Sequence, residues 1–385
     1  DHTHCIERMR LSYKNRAFTC ASRTCRANSV RAYASAPATL IDASQRARFK
    51  NDNNYTFSPL INGCWQFAGG HGREVFDNVQ AKLETHAAAG FTSFDTADIY
   101  GPSEEILGQF LKAHSAAGGA PVQVFTKYVP NIFQQQITPR AVEAAIRRSM
   151  AKLQVDQLDL VQLHWWEYSI PGMVDTALAL ADLQSRGLIR FVGTTNMDTA
   201  ALASIVDAGV DVVVNQVQFS LLDRRPLNGM LQYSQSKGIK LFTYGSVGGG
   251  LLSDKYAEEP RTGLFALGGN RYTPVDLNTS SLKMYWNVAK QFGGQDLWRQ
   301  LLLVLKRIAD RHGVSVANVA LRWVMQQGDG RTVFPIVGLR GTSHLADNAR
   351  TLTFSLDQAD LDAIAEVLAR AKGPAGDIYS FERGN

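Results

Sequence analysis

Short apolar runs alternate with amphipathic segments from about residue 45 to the end of the chain. The runs are Ile61–Phe67, Thr92–Ala97, Val122–Tyr128, Leu158–Trp165, Ile189–Thr194, Val210–Phe219, Lys240–Tyr244 and Thr332–Val337. Several are nearly unbroken, such as Val212-Val213-Val214, the pattern of strands covered on both faces in a parallel sheet. Between them lie helical patterns. In 138–153, Thr138 is placed to cap, Pro139 takes the first helical position, and Val142, Ala145, Ile146, Ser149 and Leu153 share one face. The segment 174–186 stops before Gly187, a glycine in the C-terminal cap position. Eight strand–helix pairs predict a (β/α)8 TIM barrel over residues 45–378, with a doubly wound sheet as the alternative. The stretch Arg46–Ser58, centred on Asn51-Asp52-Asn53-Asn54, predicts an N-terminal hairpin ahead of the barrel. From about Gly248 to Gln295 the pattern predicts a long irregular loop after strand 7, and its Tyr285 and Trp286 suggest that the loop is functional.

Composition separates the first 40 residues from the rest. The chain has 385 residues, 45% hydrophobic and 19% charged, enough apolar content to bury a large core. No apolar run reaches the eighteen or so residues of a membrane helix, so no span is expected. Three of the four cysteines, Cys5, Cys20 and Cys25, precede residue 40, leaving Cys64 alone in the body. One thiol forms neither an internal bridge nor a cysteine-based zinc site. The net charge of +5 also belongs to residues 1–40, where seven basic residues face two acidic ones; the remainder is balanced. A nucleic-acid surface is therefore not expected on the body. Arg, Ser and Ala dominate residues 9–40 with no acid until Asp42, which predicts an organellar transit peptide, chloroplast favoured over mitochondrion, with Met9 a candidate initiator. A basic tail without an address is the plainer alternative.

Several chemistries are excluded by missing motifs. The chain has no G-x-G-x-x-G, no phosphate-binding P-loop, no H-E-x-x-H and no C-x-x-C, and Tyr244-Gly245-Ser246-Val247-Gly248 misses the nucleophile elbow. In a barrel the chemistry sits where the strands end, and those positions are polar here. They carry Asp95 and Tyr100, then Lys127, His164, Thr195-Asn196, Asn215-Gln216 and Tyr244. Each alone has an ordinary structural use. Asp, Tyr, Lys and His gathered on three successive strands at one mouth are harder to assign to packing.

The sequence from Phe94 to Gly108, Phe-Asp-Thr-Ala-Asp-Ile-Tyr-Gly-Pro-Ser-Glu-Glu-Ile-Leu-Gly, resembles the signature of the aldo-keto reductases. The resemblance continues through Lys127, Leu163-His164, Thr195-Asn196, Asn215-Gln216-Val217, Tyr244 to Leu252 and Gly338 to Asn348. It covers nearly all of 57–355. It implies a barrel that binds NADPH in extended form and reduces a small aldehyde or ketone with a tetrad of Asp95, Tyr100, Lys127 and His164. The physics agrees: a free tyrosine, with pKa about 10, is a weak acid at neutral pH. A lysine about 4 Å away in an effective dielectric near 20 favours the tyrosinate by roughly 4 kcal/mol. Asp95 would keep Lys127 charged while cancelling part of that effect, and His164 would orient the carbonyl oxygen or relay the proton.

By the same resemblance Thr195, Asn196 and Gln216 bind the nicotinamide carboxamide and Tyr244 stacks on its ring. Gly338, Arg340, His344, Asp347 and Asn348 take the adenosine end. Trp65 is a candidate for both cofactor and substrate contact, and Trp165, Trp166, Tyr285 and Trp286 are candidates for an aromatic substrate wall, with core packing the alternative. The chain departs from the family in Cys64 where threonine is common, in His344 for arginine or glutamine, in Asp347 for glutamate, and in Gly245-Ser246 for Ser-Pro. Arg340 offers a planar donor fork to a 2′-phosphate, and no acid occupies 338–346, which together favour NADP(H) over NAD(H). The partners expected are a small carbonyl substrate, no nucleic acid and no membrane, with a monomer favoured. A rival reading is an NADPH-binding sensor or regulatory subunit with little turnover.

Overall fold

A computed structural model of the protein describes residues 39–69, 72, 74–133, 136–259, 274–339 and 341–383. The expected transit segment lies almost entirely outside them, as does Arg340. Two short strands, β1 (Ala47–Arg48) and β2 (Thr56–Phe57), pair antiparallel as the expected hairpin, with Ala47 opposite Phe57. Eight parallel strands follow: β3 (Ile61–Gly63), β4 (Ser93–Asp95), β5 (Gln123–Tyr128), β6 (Leu158–His164), β7 (Ile189–Thr195), β8 (Val212–Gln218), β9 (Lys240–Tyr244) and β10 (Val333–Gly338). They close into one barrel because β10 pairs with both β9 and β3. Closure excludes the doubly wound alternative.

The helices form where the sequence places caps and apolar stripes. Thr138 accepts a hydrogen bond from the Ala141 amide at the start of Pro139–Leu153, and Val142, Ala145, Ile146, Ser149 and Leu153 are its buried face. Met173–Ser185 is followed by Gly187 with φ +79°.

Two expectations require correction. The first barrel strand stops at Gly63 and the chain turns into a 3-10 helix, Trp65–Ala68, instead of running on to Phe67. The stretch predicted as irregular up to Gln295 contains a regular helix, Ser280–Phe292, followed by Gly294–His312. Thr279 caps it by accepting from the Leu282 amide, and Leu282, Tyr285, Val288, Ala289 and Phe292 form the buried stripe that holds it in place. Tyr285 and Trp286 therefore stand on a helix rather than in a loop.

The hairpin plugs one end of the barrel with aromatic rings. Phe49 lies 4.7 Å from Phe57 and 4.8 Å from Phe191, and Phe57 lies 5.0 Å from Phe334, all between ring centroids. Phe125 and Phe242, 5.3 Å apart, complete the cluster. Because side chains alternate along a strand, Lys127, two residues beyond Phe125, points inward nearer the other end. That end is the mouth.

Candidate active site

The mouth is built from the last inward positions of successive strands. Asp95 ends β4, Lys127 lies in β5, and Gln162 and His164 lie in β6; Thr195 ends β7, Gln216 lies in β8 and Tyr244 ends β9. The pairing register sets Lys127 opposite Gln162, His164 opposite Thr195 and Thr195 opposite Gln216. Tyr100 comes from the turn after β4. That turn is pinned to β5 because the Thr96 amide donates to the Phe125 carbonyl and the Asp98 amide to the Lys127 carbonyl, at 2.8 and 3.2 Å. Local bonds from the Tyr100 amide to Ala97 and from the Ser103 amide to Tyr100 close it.

The Lys127 ammonium donates to Asp95 Oδ1 at 2.5 Å and to the Thr96 carbonyl at 2.9 Å, with both side chains about 95% buried. A buried ion pair is tolerable only when its remaining polar atoms are satisfied. Asp95 Oδ2 meets that requirement by accepting from Gln162 Nε2 at 3.0 Å and Gln216 Nε2 at 2.7 Å. Lys127 Nζ lies 5.0 Å from the centroid of the Tyr100 ring, so the head of the lysine faces the phenol. The His164 ring is 4.2 Å from Trp166 and meets Tyr379 edge-on at 5.8 Å. The structure thus brings together Asp95, Lys127 and the Tyr100 ring, with His164 at the end of the neighbouring strand β6. Cys64 is buried beside Asp95, to whose carbonyl its amide donates at 2.9 Å, and burial pushes its thiol up, which keeps it neutral.

Next to this group lie the residues expected to hold a nicotinamide. Thr195 Oγ1 and the Asn196 amide both donate to the Gln216 carbonyl, at 3.2 and 2.8 Å. Asn196 takes a left-handed backbone, φ +56°, which is costly for most residues but less so for asparagine. Its Oδ1 accepts from the Tyr244 hydroxyl at 2.7 Å. Burial raises the Tyr244 phenol well above its ordinary pKa, so Tyr244 stays a neutral ring. Beyond it, a Cβ added to Gly245 or Gly249 would meet the Tyr285 ring at 2.6 or 2.8 Å, so the glycine loop lies tight beneath Tyr285. Planar ring, amide donors and acceptors, and a glycine loop fit the aromatic carboxamide and phosphate groups of a dinucleotide.

The remaining expected residues are spread more widely. Gly338 ends β10 close to Gln66, His344 is exposed before the helix Leu345–Arg350, and Asn348 lies within that helix. Asp347 Oδ2 accepts from Ser315 Oγ at 2.9 Å and from Asn318 Nδ2 at 3.4 Å, so it also braces the helix Val316–Met325. Trp65 is half-buried in its 3-10 turn. Trp165 is fully buried in the core with its indole donating to the Ile170 carbonyl, whereas Trp286 packs edge-on against Trp298 at 5.3 Å.

Sequence reasoning missed Gln162 and Tyr379. Gln162 was findable: it stands two residues before His164 in a strand, so it faces the same side. Tyr379 carried no local signal. Its placement comes from the C-terminal segment, tied down where Asn228 Nδ2 donates to the Gly376 carbonyl, the Thr199 amide to Asp377 and Arg225 to Glu382.

The model of a family described as the aldo/keto reductase family matches residues 59–369. A chloroplastic pyridoxal reductase of Arabidopsis thaliana is 30% identical over 323 residues, covering 78% of this chain and 80% of that protein. An NADH-specific methylglyoxal reductase of Escherichia coli is 24% identical over 336 residues, 81% of this chain and 95% of that one. The crystal structure of an aldo-keto reductase from Klebsiella pneumoniae in complex with NADPH superposes with a TM-score of 0.61 at 21% identity, covering 87% and 99% of the two chains, and supports the barrel.

Proposed function

The chain belongs to the aldo/keto reductase family, and on that premise we propose that it reduces a small aldehyde or ketone to the alcohol at the expense of NADPH. The observation that carries this reading is the buried Lys127 ammonium, fixed by Asp95 at 2.5 Å and facing the Tyr100 ring. Thr195, Asn196, Gln216 and Tyr244 would hold the nicotinamide end. Gly338, Arg340, His344, Asp347 and Asn348 would hold the adenosine end. When bound, NADPH supplies a hydride to the carbonyl carbon. As the carbon–oxygen π pair moves onto oxygen, Tyr100 gives that oxygen its phenolic proton. Lys127 stabilises the phenolate left behind, Asp95 holds Lys127 in place, and His164 orients the oxygen. The phenolate recovers a proton from solvent.

The rings around His164, Trp166 and Tyr379, favour a flat carbonyl compound. The similarity to a pyridoxal reductase makes pyridoxal the first aldehyde to try. We further read residues 1–40 as an organellar transit segment, chloroplast favoured, and 45–378 as the enzymatic barrel. Steady oxidation of NADPH against a panel of aldehydes and ketones tests the reading. Tight NADPH binding with no turnover across that panel would replace it with the sensor reading.

A further inference from the structure

We propose that Gln162 is a positioning residue that fixes which end of the Gln216 amide meets the nicotinamide, so that the site recognises a carboxamide through its N–H2 group. The inference rests on the NADPH reading above and extends it to a residue that touches neither cofactor nor substrate.

A primary amide nitrogen has two N–H donors. Gln216 Nε2 spends one on Asp95 Oδ2 at 2.7 Å and the other on Gln162 Oε1 at 2.9 Å. Nothing on that nitrogen is left to donate, so Gln216 faces a ligand with its amide oxygen, an acceptor. The orientation of Gln216 therefore depends on Gln162 presenting an oxygen. Gln162 does so because its own nitrogen is committed, donating to Asp95 Oδ2 at 3.0 Å and to the Thr126 carbonyl at 3.4 Å. Asp95 cannot turn either, since its Oδ1 holds the Lys127 ammonium. Reversing either glutamine would set amine against amine or oxygen against carboxylate. All four groups are nearly fully buried, where such mismatches are not relieved by water.

The backbone makes room for this arrangement. Gly193, opposite Gln162 in the register, lies so close that an added Cβ would meet Gln162 Cγ at 3.2 Å and the Val214 carbonyl oxygen at 3.1 Å. The absent side chain is the space that Gln162 fills. The carboxamide of a nicotinamide offers both an N–H2 group and a carbonyl oxygen, and a Gln216 locked in this sense pairs with the N–H2. The same chain of bonds joins the carboxamide contact to the Asp95–Lys127 pair.

The test compares dissociation constants for NADP+ and for its 3-acetylpyridine analogue, in which a methyl group replaces the amide nitrogen. The wild-type protein should bind the analogue about tenfold more weakly, the loss of one neutral hydrogen bond. Gln162→Met keeps the volume and removes both donor and acceptor, freeing Gln216 to turn. In that variant the ratio should fall below about threefold, mainly because NADP+ weakens. A merely structural role for Gln162 would weaken both ligands alike and leave the ratio unchanged, which overturns the proposal. Equal affinities in the wild type overturn it without recourse to any variant, so a Gln162→Met chain that fails to fold does not protect it. A wild type that binds no NADP+ overturns the cofactor reading itself, whereas the other two failures leave that reading standing.

Discussion

Arg225 and Glu382, 157 residues apart in sequence, are joined by two hydrogen bonds of 2.8 Å that tie the C-terminal helix Ser380–Arg383 to the turn after β8. Arg225 is 98% buried and also holds Asp223, itself fully buried. Glu382→Ala leaves the guanidinium buried with one carboxylate instead of two, and should cost about 1–3 kcal/mol of stability in a thermal or urea melt. Tyr379 stands against His164 on the same tethered segment. Loosening it should raise KM for bulky carbonyl compounds more than for small ones. Identical melts and an unchanged KM ratio would show that the pair does not hold the segment.

Tyr100→Phe removes the proposed proton donor and keeps nearly all of the ring. We expect kcat to fall by roughly 10²–10⁴, the usual worth of a general acid, with NADPH affinity little changed. Near-full activity on a substrate whose chemistry limits turnover would exclude Tyr100 as the acid.

Arg340→Ala addresses cofactor choice. If the guanidinium meets the 2′-phosphate, the variant should lose about 1.5–3 kcal/mol of NADPH binding and much less of NADH binding. Equal losses, or a wild type that prefers NADH as a bacterial relative does, would reverse the assignment without touching the tetrad.

Asp98, two residues before Tyr100, has its carboxyl pushed up to about 7, chiefly by burial, against opposing hydrogen bonds from the Val129 and Ile99 amides. Its folded-state pKa exceeds the unfolded value of 3.8. Between roughly pH 4 and 7 the folded protein therefore holds more protons than the unfolded one, and stability falls as pH rises through that window. Asp98→Asn removes the penalty. The variant should gain most over wild type near pH 8, on the order of 4 kcal/mol at most, and little near pH 4. A gain independent of pH in paired melts would rule out ionisation as the cause.

A fluorescent fusion of residues 1–40 should enter an organelle, and the protein without them should fold and turn over normally. A full-length fusion that stays in the cytosol would remove the transit reading.

The eight strands were legible because a parallel barrel buries both faces of each strand and so writes nearly continuous apolar strings. The first was overextended because Trp65, Gln66 and Phe67 continue the apolar string while the backbone has already turned. The helix Ser280–Phe292 carried its own signal, a threonine cap and apolar residues at helical spacing, but the glycine- and proline-containing stretch before it obscured the reading. At the site, Asp95, Tyr100, Lys127 and His164 stood out as polar residues at strand ends. Gln162 lies one pleat deeper, where a lone glutamine looks like noise until its partners are known. Arg225 and Glu382 were invisible for a different reason: only the folded chain makes them neighbours.

The aromatic plug has a consequence for how the chain assembles. Phe57 reaches Phe334 across 277 residues of sequence, and Phe49 reaches Phe191 across 142. The hairpin therefore waits for the last barrel strand before its rings are fully enclosed. Contacts of such separation make refolding slow, and until β10 arrives the hairpin's phenylalanines stay partly open to solvent and to other chains. Loss of yield during refolding should then follow protein concentration, and shortening the interval between the arrival of β3 and β10, for example by a circular permutation that brings them together, should speed the final burial.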